Sequence, residues 1–521
     1  MFKKSTPECL GRDPRKAVNN RRRDFLDFLV KSSASAMAVT AVDSLAACGG
    51  GGDLVSPAAS TAPAITPAVF AFGVASGDPL GDRVVLWSHV KVPNSTTDVT
   101  LTWQVASDAA FANIVRSGTL VTTEASSFTA KVDVTGLTAG ASYFCRFRDA
   151  TGWSPTVCTT RTLPASGVAS VKFAVLSCAL SSEGYFHACD SIAKSDAVYV
   201  GDYIYEYGSG PKEYGNSSIP GNRVTSPAND VVTMNDYRTR HALYKSDLNL
   251  QVAHAKILWI TVWDDPEFAD HVYVNGAQNH DPATQSDWVT RKNIAATVYH
   301  ELMPICTLDT NDLLKIYRRF DFGSLFTLHM LDTRIEGRDR QYGNFKDADR
   351  GIGRYLAGTT PNAAGIRPDA SHQMMSSEQQ NWLTSSMRES TATWQMLAGD
   401  SHDGWFSHLT TVAGEKVGVE FAGTSVTSTG FKSAGLGALV SSVDGSALMP
   451  QLGNAAIGAG LGLIDDVNCC DTSQRDCLLM TVTAAAVKKE FAFVSSVKQP
   501  TYTVVVGRTI TAAATAVPLI A

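Results

Sequence analysis

The chain has 521 residues, 44% hydrophobic and 18% charged, a balance that excludes a disordered or fibrous protein and leaves room for more than one domain. Its formal net charge is −6; residues 1–47 hold nine Lys/Arg against five Asp/Glu, so the remainder carries −10. A body that acidic excludes general nucleic-acid binding, though not an anionic substrate, because a metal cluster dominates the field around itself.

The N-terminus reads as an export signal. Arg21-Arg22-Arg23-Asp24-Phe25-Leu26 resembles a twin-arginine motif and is followed by a weakly apolar stretch. Asp27, Lys31 and Asp43 interrupt that stretch, so it does not suit a membrane-spanning helix. Leu45-Ala46-Ala47-Cys48 and the four glycines after it resemble a lipobox, with Cys48 as the lipidated residue. The expectation is a signal over 1–47, a Gly/Ala/Pro-rich tether over 48–67, and an exported bacterial protein of the periplasm or cell surface, anchored to the outer membrane through lipid alone. The alternative is a disordered basic tail. Export permits disulfides. Cys145 and Cys158 flank a strand–turn–strand pattern, and Cys469, Cys470 and Cys477 bracket a polar turn; either set could pair.

From 68 to 164 the apolar runs are short and alternating: 83–87, 99–105, 129–134, 142–148 and 156–162, with turn residues between. This predicts an N-terminal fibronectin-type-like β-sandwich. Within it, Leu137 to Tyr143 resembles a tyrosine corner, in which the Tyr143 hydroxyl bonds back to the chain. From 168 to 521 apolar runs alternate with helical patterns at 184–194, 291–303 and 377–388, which predicts an α/β domain. Its last third turns strand-rich, at 417–421, 478–482, 489–494 and 501–506. The Gly- and Ala-rich stretch 433–463 reads equally as helix or loop.

Four apolar runs of the second domain end in residues that can bind a metal. Residues 171–176 run into Ser177-Cys178, 197–200 into Gly201-Asp202, 257–263 into Asp264-Asp265, and 394–398 into Gly399-Asp400-Ser401-His402. If these are parallel strands, their carboxyl ends share one edge, where ligands of such sheets bind. In Gly201-Asp202-Tyr203-Ile204-Tyr205, the Asp carboxylate can bridge two cations and the phenol three residues on suits Fe(III); the plain alternative is an Asp cap followed by core tyrosines. Cys178 alone would be an inert buried thiol, but a polyvalent cation would hold it as thiolate. Asp264, Asp265, Glu267 and Asp270 lie within seven residues, a density of oxygen that suits Ca²⁺, Mg²⁺ or Mn²⁺, or else forms a solvated turn that starts a helix at Pro266. Leu331-Asp332-Thr333-Arg334 is either a buried Asp–Arg pair or a guanidinium beside a phosphate.

These segments, in this order, resemble the PhoD-type alkaline phosphatase/phosphodiesterase family of metallophosphoesterases. The matching motifs are Phe72 to Pro79, Val84 to Trp87, Ser177-Cys178, Gly201 to Tyr207, Tyr237 to His241, the Trp263 cluster, Leu331 to Arg334, Gly399 to His402 and Val419 to Ser425. The resemblance implies an α/β metallophosphoesterase core of two packed sheets flanked by helices, Fe(III) with Ca²⁺, and hydrolysis of small-molecule or lipid phosphate mono- and diesters outside the cytoplasm by a monomer. It implies Cys178, Asp202 and Tyr205 as iron ligands, with Asp202 bridging to calcium. Asp265 and Asp270 fall in its second ligand region, and Asp400 and His402 in its last.

Two departures stand out. The family pattern Trp-Asp-Asp-His-Glu has Pro266 in place of its His, which removes any acid or phosphate contact made there; nearby His271 is the candidate substitute. The segment before Gly-Asp-x-His is also much shorter than usual, with only residues 395–398 after Trp394. Both features favour the alternative of a catalytically impaired, lipid-anchored homologue that binds metal or phosphate without turnover.

Overall fold

The computed structural model describes residues 70–90, 97–150, 152–192, 196–209, 223–340, 373–399, 402, 404–410, 416–428, 467–471 and 474–514. The expected leader, Cys48, the tether, Asp400 and the stretch 433–463 lie outside the described residues, as do the side chains of Cys469 and Cys470.

Most of the chain is built on two sheets. The larger has nine strands in the order β19 (Val504–Ala513), β18 (Ala486–Val494), β17 (Arg475–Thr483), β8 (Ser170–Leu176), β9 (Asp196–Tyr199), β10 (Trp259–Thr261), β1 (Val74–Gly77), β2 (Val84–His89) and β5 (Thr129–Val134). The second has six, in the order β11 (Arg318–Phe322), β12 (Phe326–Met330), β13 (Trp394–Gly399), β15 (Lys416–Ala422), β14 (Gly404–Thr410) and β16 (Val467–Asp471). One buried core carries Phe173 and Val175 of the first sheet together with Phe326 and Met396 of the second, and the rings of Phe173 and Phe326 stack at 5.6 Å.

Three of the four ligand-ending runs, β8, β9 and β10, are parallel neighbours as expected. The fourth is not in their sheet. β13 pairs with β12 and β15, also in parallel, so its end reaches the others across the gap between sheets. The reason lies in β12: all five of its residues are buried, and it offers a partner in register from Phe326 opposite Trp394.

The N-terminal region differs from a free-standing sandwich. A four-stranded sheet, β4 (Ile114–Thr122), β3 (Val99–Ala106), β6 (Ser142–Arg148) and β7 (Cys158–Arg161), shares a core with β1, β2 and β5. Those three strands, however, belong to the nine-stranded sheet, through the parallel contact of β1 with β10. Alternation explains this. Val74, Val84 and Leu86 face the N-terminal core, while Ala75 and Trp87 on the opposite faces enter the main core. The Trp87 indole donates to the carbonyl of Glu301 (2.9 Å), and Arg318 grips Asp78 (2.7 Å) where both are nearly buried. Cys145 and Cys158 form a disulfide between β6 and β7. The Tyr143 oxygen accepts the amide of Thr138 at 2.8 Å, as the corner motif requires.

Five helices are described: α1 (His187–Ser191), α2 (Met234–Lys245), α3 (Leu248–Lys256), α4 (Trp288–Leu302) and α5 (Ser377–Glu389). The expected helix at 184–194 shrinks to the single short α1, while α4 and α5 match their expected spans closely. Helices α2 and α3 were not anticipated. Their sequence signals were caps: Thr233 and Asp236 bond reciprocally across the first turn of α2, and Asp247 accepts the amides of Asn249 and Leu250 at the start of α3. None of the described helices is long and apolar enough to cross a membrane.

Candidate metal centre

Leu176, Tyr199 and Thr261 lie in register, so the chain leaves β8, β9 and β10 at one edge. The loops beyond are stitched together. The amide of Cys178 donates to the Gly201 carbonyl (3.2 Å), and that of Ala179 to the Asp202 carbonyl (3.0 Å). Gly201 is needed for two reasons: its φ is +114°, and any Cβ there would strike Asp264. Cys178 and Asp202 hold φ of 59° and 56°. Few non-glycine residues adopt this left-handed backbone, and such strain concentrates at functional sites.

Donor atoms converge there. Cys178, Asp202 and His402 each offer one ligand atom, all within 4.8 Å of one another. Asp202, Asp264 and Asp265 form a second such group, and Asp265, Asp270 and His271 a third. The groups share Asp202 and Asp265 and so run into one another. The Tyr205 hydroxyl joins the first group: it donates to Asp202 Oδ2 (2.7 Å) and lies 3.3 Å from His402 Nε2. Ser428 Oγ lies 2.7 Å from that hydroxyl and 2.9 Å from the Cys178 carbonyl, which fixes the phenol against the first loop.

Charge is badly unbalanced among these groups. Burial, and then the neighbouring Asp264, Asp265 and Glu267, push Asp202 well above the usual carboxylate range. Its Oδ1 is buried with no hydrogen-bond partner among the described residues. Glu267 is tied down structurally, accepting the amides of Asp202, Tyr203 and Asp264. Behind Asp270 lies Glu206, fully buried and pushed up to about 8, chiefly by burial and secondly by Asp270. It accepts the Asp270 amide (2.6 Å) and Asn279 Nδ2 (3.0 Å), while Tyr207 donates to Asp270 Oδ2 (2.6 Å).

Of its two expected readings, a buried Asp–Arg pair or a phosphate contact, Arg334 forms the buried ion pair, with Asp264. It is 2% exposed, forks onto both oxygens of Asp264 (2.7 and 2.6 Å), and sits 3.3 Å from Asp265 Oδ2. It is thus a counter-charge inside the acidic cluster. Asp332 is not its ion-pair partner; that carboxylate accepts the amides of Arg334, Ile335 and Glu336 and shapes the loop. Removing one partner of a buried pair strands the other's charge. Arg334→Met is therefore expected to destabilise the fold by about 3–5 kcal/mol, read from denaturant unfolding of the metal-loaded protein.

Of the residues expected at the centre, Cys178, Asp202, Tyr205, Asp265, Asp270, His271 and His402 are brought together, and Asp400 lies outside the described residues. The Trp263 cluster is a buried turn and not the start of a helix: the amides of Phe268 and Ala269 both donate to the Asp265 carbonyl at 2.9 Å, with Pro266 enclosed between. Ser428, Glu206 and Asn279 escaped the sequence reading. Ser428 and Asn279 are ordinary polar residues in their local contexts, and their roles arise from loops that meet only in the fold.

The residues fit polyvalent cations. A buried carboxylate oxygen has no described partner, three donor groups overlap, and one buried arginine faces several carboxylates.

Comparison with known proteins agrees with this arrangement. The profile of PhoD-like phosphatases matches residues 173–398, and that of the PhoD-like phosphatase N-terminal domain matches residues 56–164. Alkaline phosphatase D of Bacillus subtilis (strain 168) is 36% identical over 354 residues, 65% of this chain and 57% of that protein, so the matched stretch spans little more than half of the relative's length. A solved structure titled "Structure of PhoD" superposes with a TM-score of 0.69 at 26% identity, over 86% of this chain and 91% of that one. With sequence motifs, fold and donor constellation in agreement, the chain belongs to the PhoD-like phosphatase family.

Proposed function

We propose that the protein is an exported, metal-dependent hydrolase of phosphate mono- and diesters. The observation that carries this reading is the convergence of Cys178, Asp202 and His402 atoms within 4.8 Å, with the Tyr205 hydroxyl beside them. A thiolate, a phenolate and an imidazole around one position suit Fe(III). The oxygens of Asp265 and Asp270, with Asp202 as the bridge, suit Ca²⁺. Asp400, two residues before His402 in the sequence, would join the set. When bound, such cations supply an acidified water as nucleophile and neutralise phosphoryl oxygens.

The protein's own residues do the positioning. Glu267 holds three loop amides and so keeps Asp202 and Asp264 in place. Arg334 offsets part of the carboxylate charge, which lets the cluster assemble before a cation arrives. Tyr205, held by Ser428, orients the Asp202 carboxylate. We assign His271 as the proton donor to the leaving group, since Pro266 has no proton to give. Its backbone amide is anchored on Asp265 Oδ2 (2.9 Å), and its Nε2 lies 4.0 Å from Asp270 Oδ2.

The same reading takes residues 1–47 as a twin-arginine signal, Cys48 as a lipid anchor, 68–164 as an N-terminal unit and 168–521 as the catalytic unit of a monomer. The profile matches, which end at 164 and resume at 173, support that division. Pro266 favours a second reading, a homologue that binds metal or phosphate without turnover.

Metal analysis of the purified mature protein separates the two, combined with assays on p-nitrophenyl phosphate and its bis-ester. Iron and calcium with turnover are expected. Metal without turnover supports the second reading; absence of bound metal overturns the first, and absence of both metal and phosphate binding overturns both.

A further inference from the structure

At the opposite edge from the metal centre, all three sheets contribute to a cleft of about 820 Å³. Arg161 enters it from β7, Lys172 from β8, and Lys256 from the C-terminal end of α3. Half-buried Phe144 of β6 adds aromatic surface. Among the described residues, no Asp or Glu lines it. Lys172 stands near the start of β8 and Cys178 just past its end, so the two are about 20 Å apart at ~3.3 Å per residue. The cleft and the centre are separate places.

Two features point to a ligand. First, three cations from three different elements line one cleft whose described lining holds no acidic residue, in a chain of net negative charge. Burial draws the Arg161 pKa down, yet a guanidinium stays charged at any physiological pH. Second, the cleft falls within the range of small-molecule pockets, about 300–1,000 Å³, and mixes aromatic and aliphatic surface with the cations. A bare inorganic ion would leave that apolar surface unused.

We propose that this cleft binds an organic polyphosphate: an aromatic or apolar body bearing two or more phosphoryl charges, paired with Arg161, Lys172 and Lys256. Arginine grips such oxyanions through two parallel hydrogen bonds, and the lysines add point charges. The proposal does not depend on the metal centre being catalytic.

The test is calorimetric titration of the metal-loaded full chain with adenosine 5′-(β,γ-imido)triphosphate. Binding that weakens with added salt is expected. Lys172 and Lys256 are both exposed, so Lys172→Gln/Lys256→Gln should fold normally. It should bind roughly tenfold or more weakly, the loss of two charge contacts to one ligand, while its rate on p-nitrophenyl phosphate stays unchanged. Three results overturn the proposal: no binding to the wild type, equal binding by the variant, or binding that Asp202→Asn abolishes and the lysine pair does not. Failure of the hydrolase reading would leave the titration intact, so the two outcomes are distinguishable.

Discussion

Asp202→Asn is expected to lower kcat/KM on p-nitrophenyl phosphate by about 10³-fold, the upper end of what removing one electrostatic group at a reacting centre costs. Asparagine keeps the shape and one oxygen but loses the charge and the ability to bridge. The effect should be large because Asp202 belongs to two of the three donor groups and carries the buried oxygen without a described partner. Metal content should fall with the rate, measured by elemental analysis of the same preparation. Stability separates this from misfolding. Without metal, burial and then Asp264, Asp265 and Glu267 favour the neutral form of Asp202, which asparagine resembles, so the metal-stripped variant should melt no lower than the stripped wild type. The rise in Tm on adding metal, present in the wild type, should shrink in the variant. A variant that keeps its metal and its rate would remove Asp202 from the centre and with it the proposed function.

How much of this was legible beforehand depends on the range of the interaction. The apolar runs before Cys178, Asp202 and Asp264 could be read as strands because burial on both faces writes a local pattern. Their common edge followed from parallel pairing. The sheet to which Trp394–Gly399 belongs could not be read: the run looks like the other three, and its partner Phe326–Met330 lies in a stretch whose only signal is a short apolar run. The fusion of the N-terminal strands with the main sheet was hidden for a related reason. Ala75 and Trp87 alternate with Val74 and Leu86 as in any sandwich, and nothing local says that their face is covered by a second core. The meeting of Cys178, Asp202 and His402 donor atoms follows from strand ends that share one region of the fold. Arg334 shows the limit of adjacency. Asp332 is its near neighbour in sequence, but the guanidinium turns to Asp264, 70 residues away, a buried carboxylate that it meets through both oxygens.

The second large effect concerns the leaving group. General acid catalysis contributes about 10²–10⁴-fold when the departing oxygen is a poor anion and little when it is a good one. In this chain the family's His position is Pro266, enclosed in the turn whose amides converge on the Asp265 carbonyl. The same turn folds the chain back, through φ of 57° at His271, so that His271 joins Asp265 and Asp270. His271, the proposed donor, stands further along the loop than the family's His position, so proton delivery should be weaker than from the usual position. Hydrolysis of p-nitrophenyl phosphate is therefore expected to exceed that of an alkyl phosphate by about 10²-fold or more, with chemistry limiting in both. His271→Gln should widen the gap by slowing the alkyl ester alone, and Pro266→His should narrow it. Equal rates on the two esters would mean that a full-strength acid is present elsewhere. An unchanged ratio in His271→Gln would show that His271 is a ligand or a structural neighbour, and that the acid, if one acts, comes from another loop.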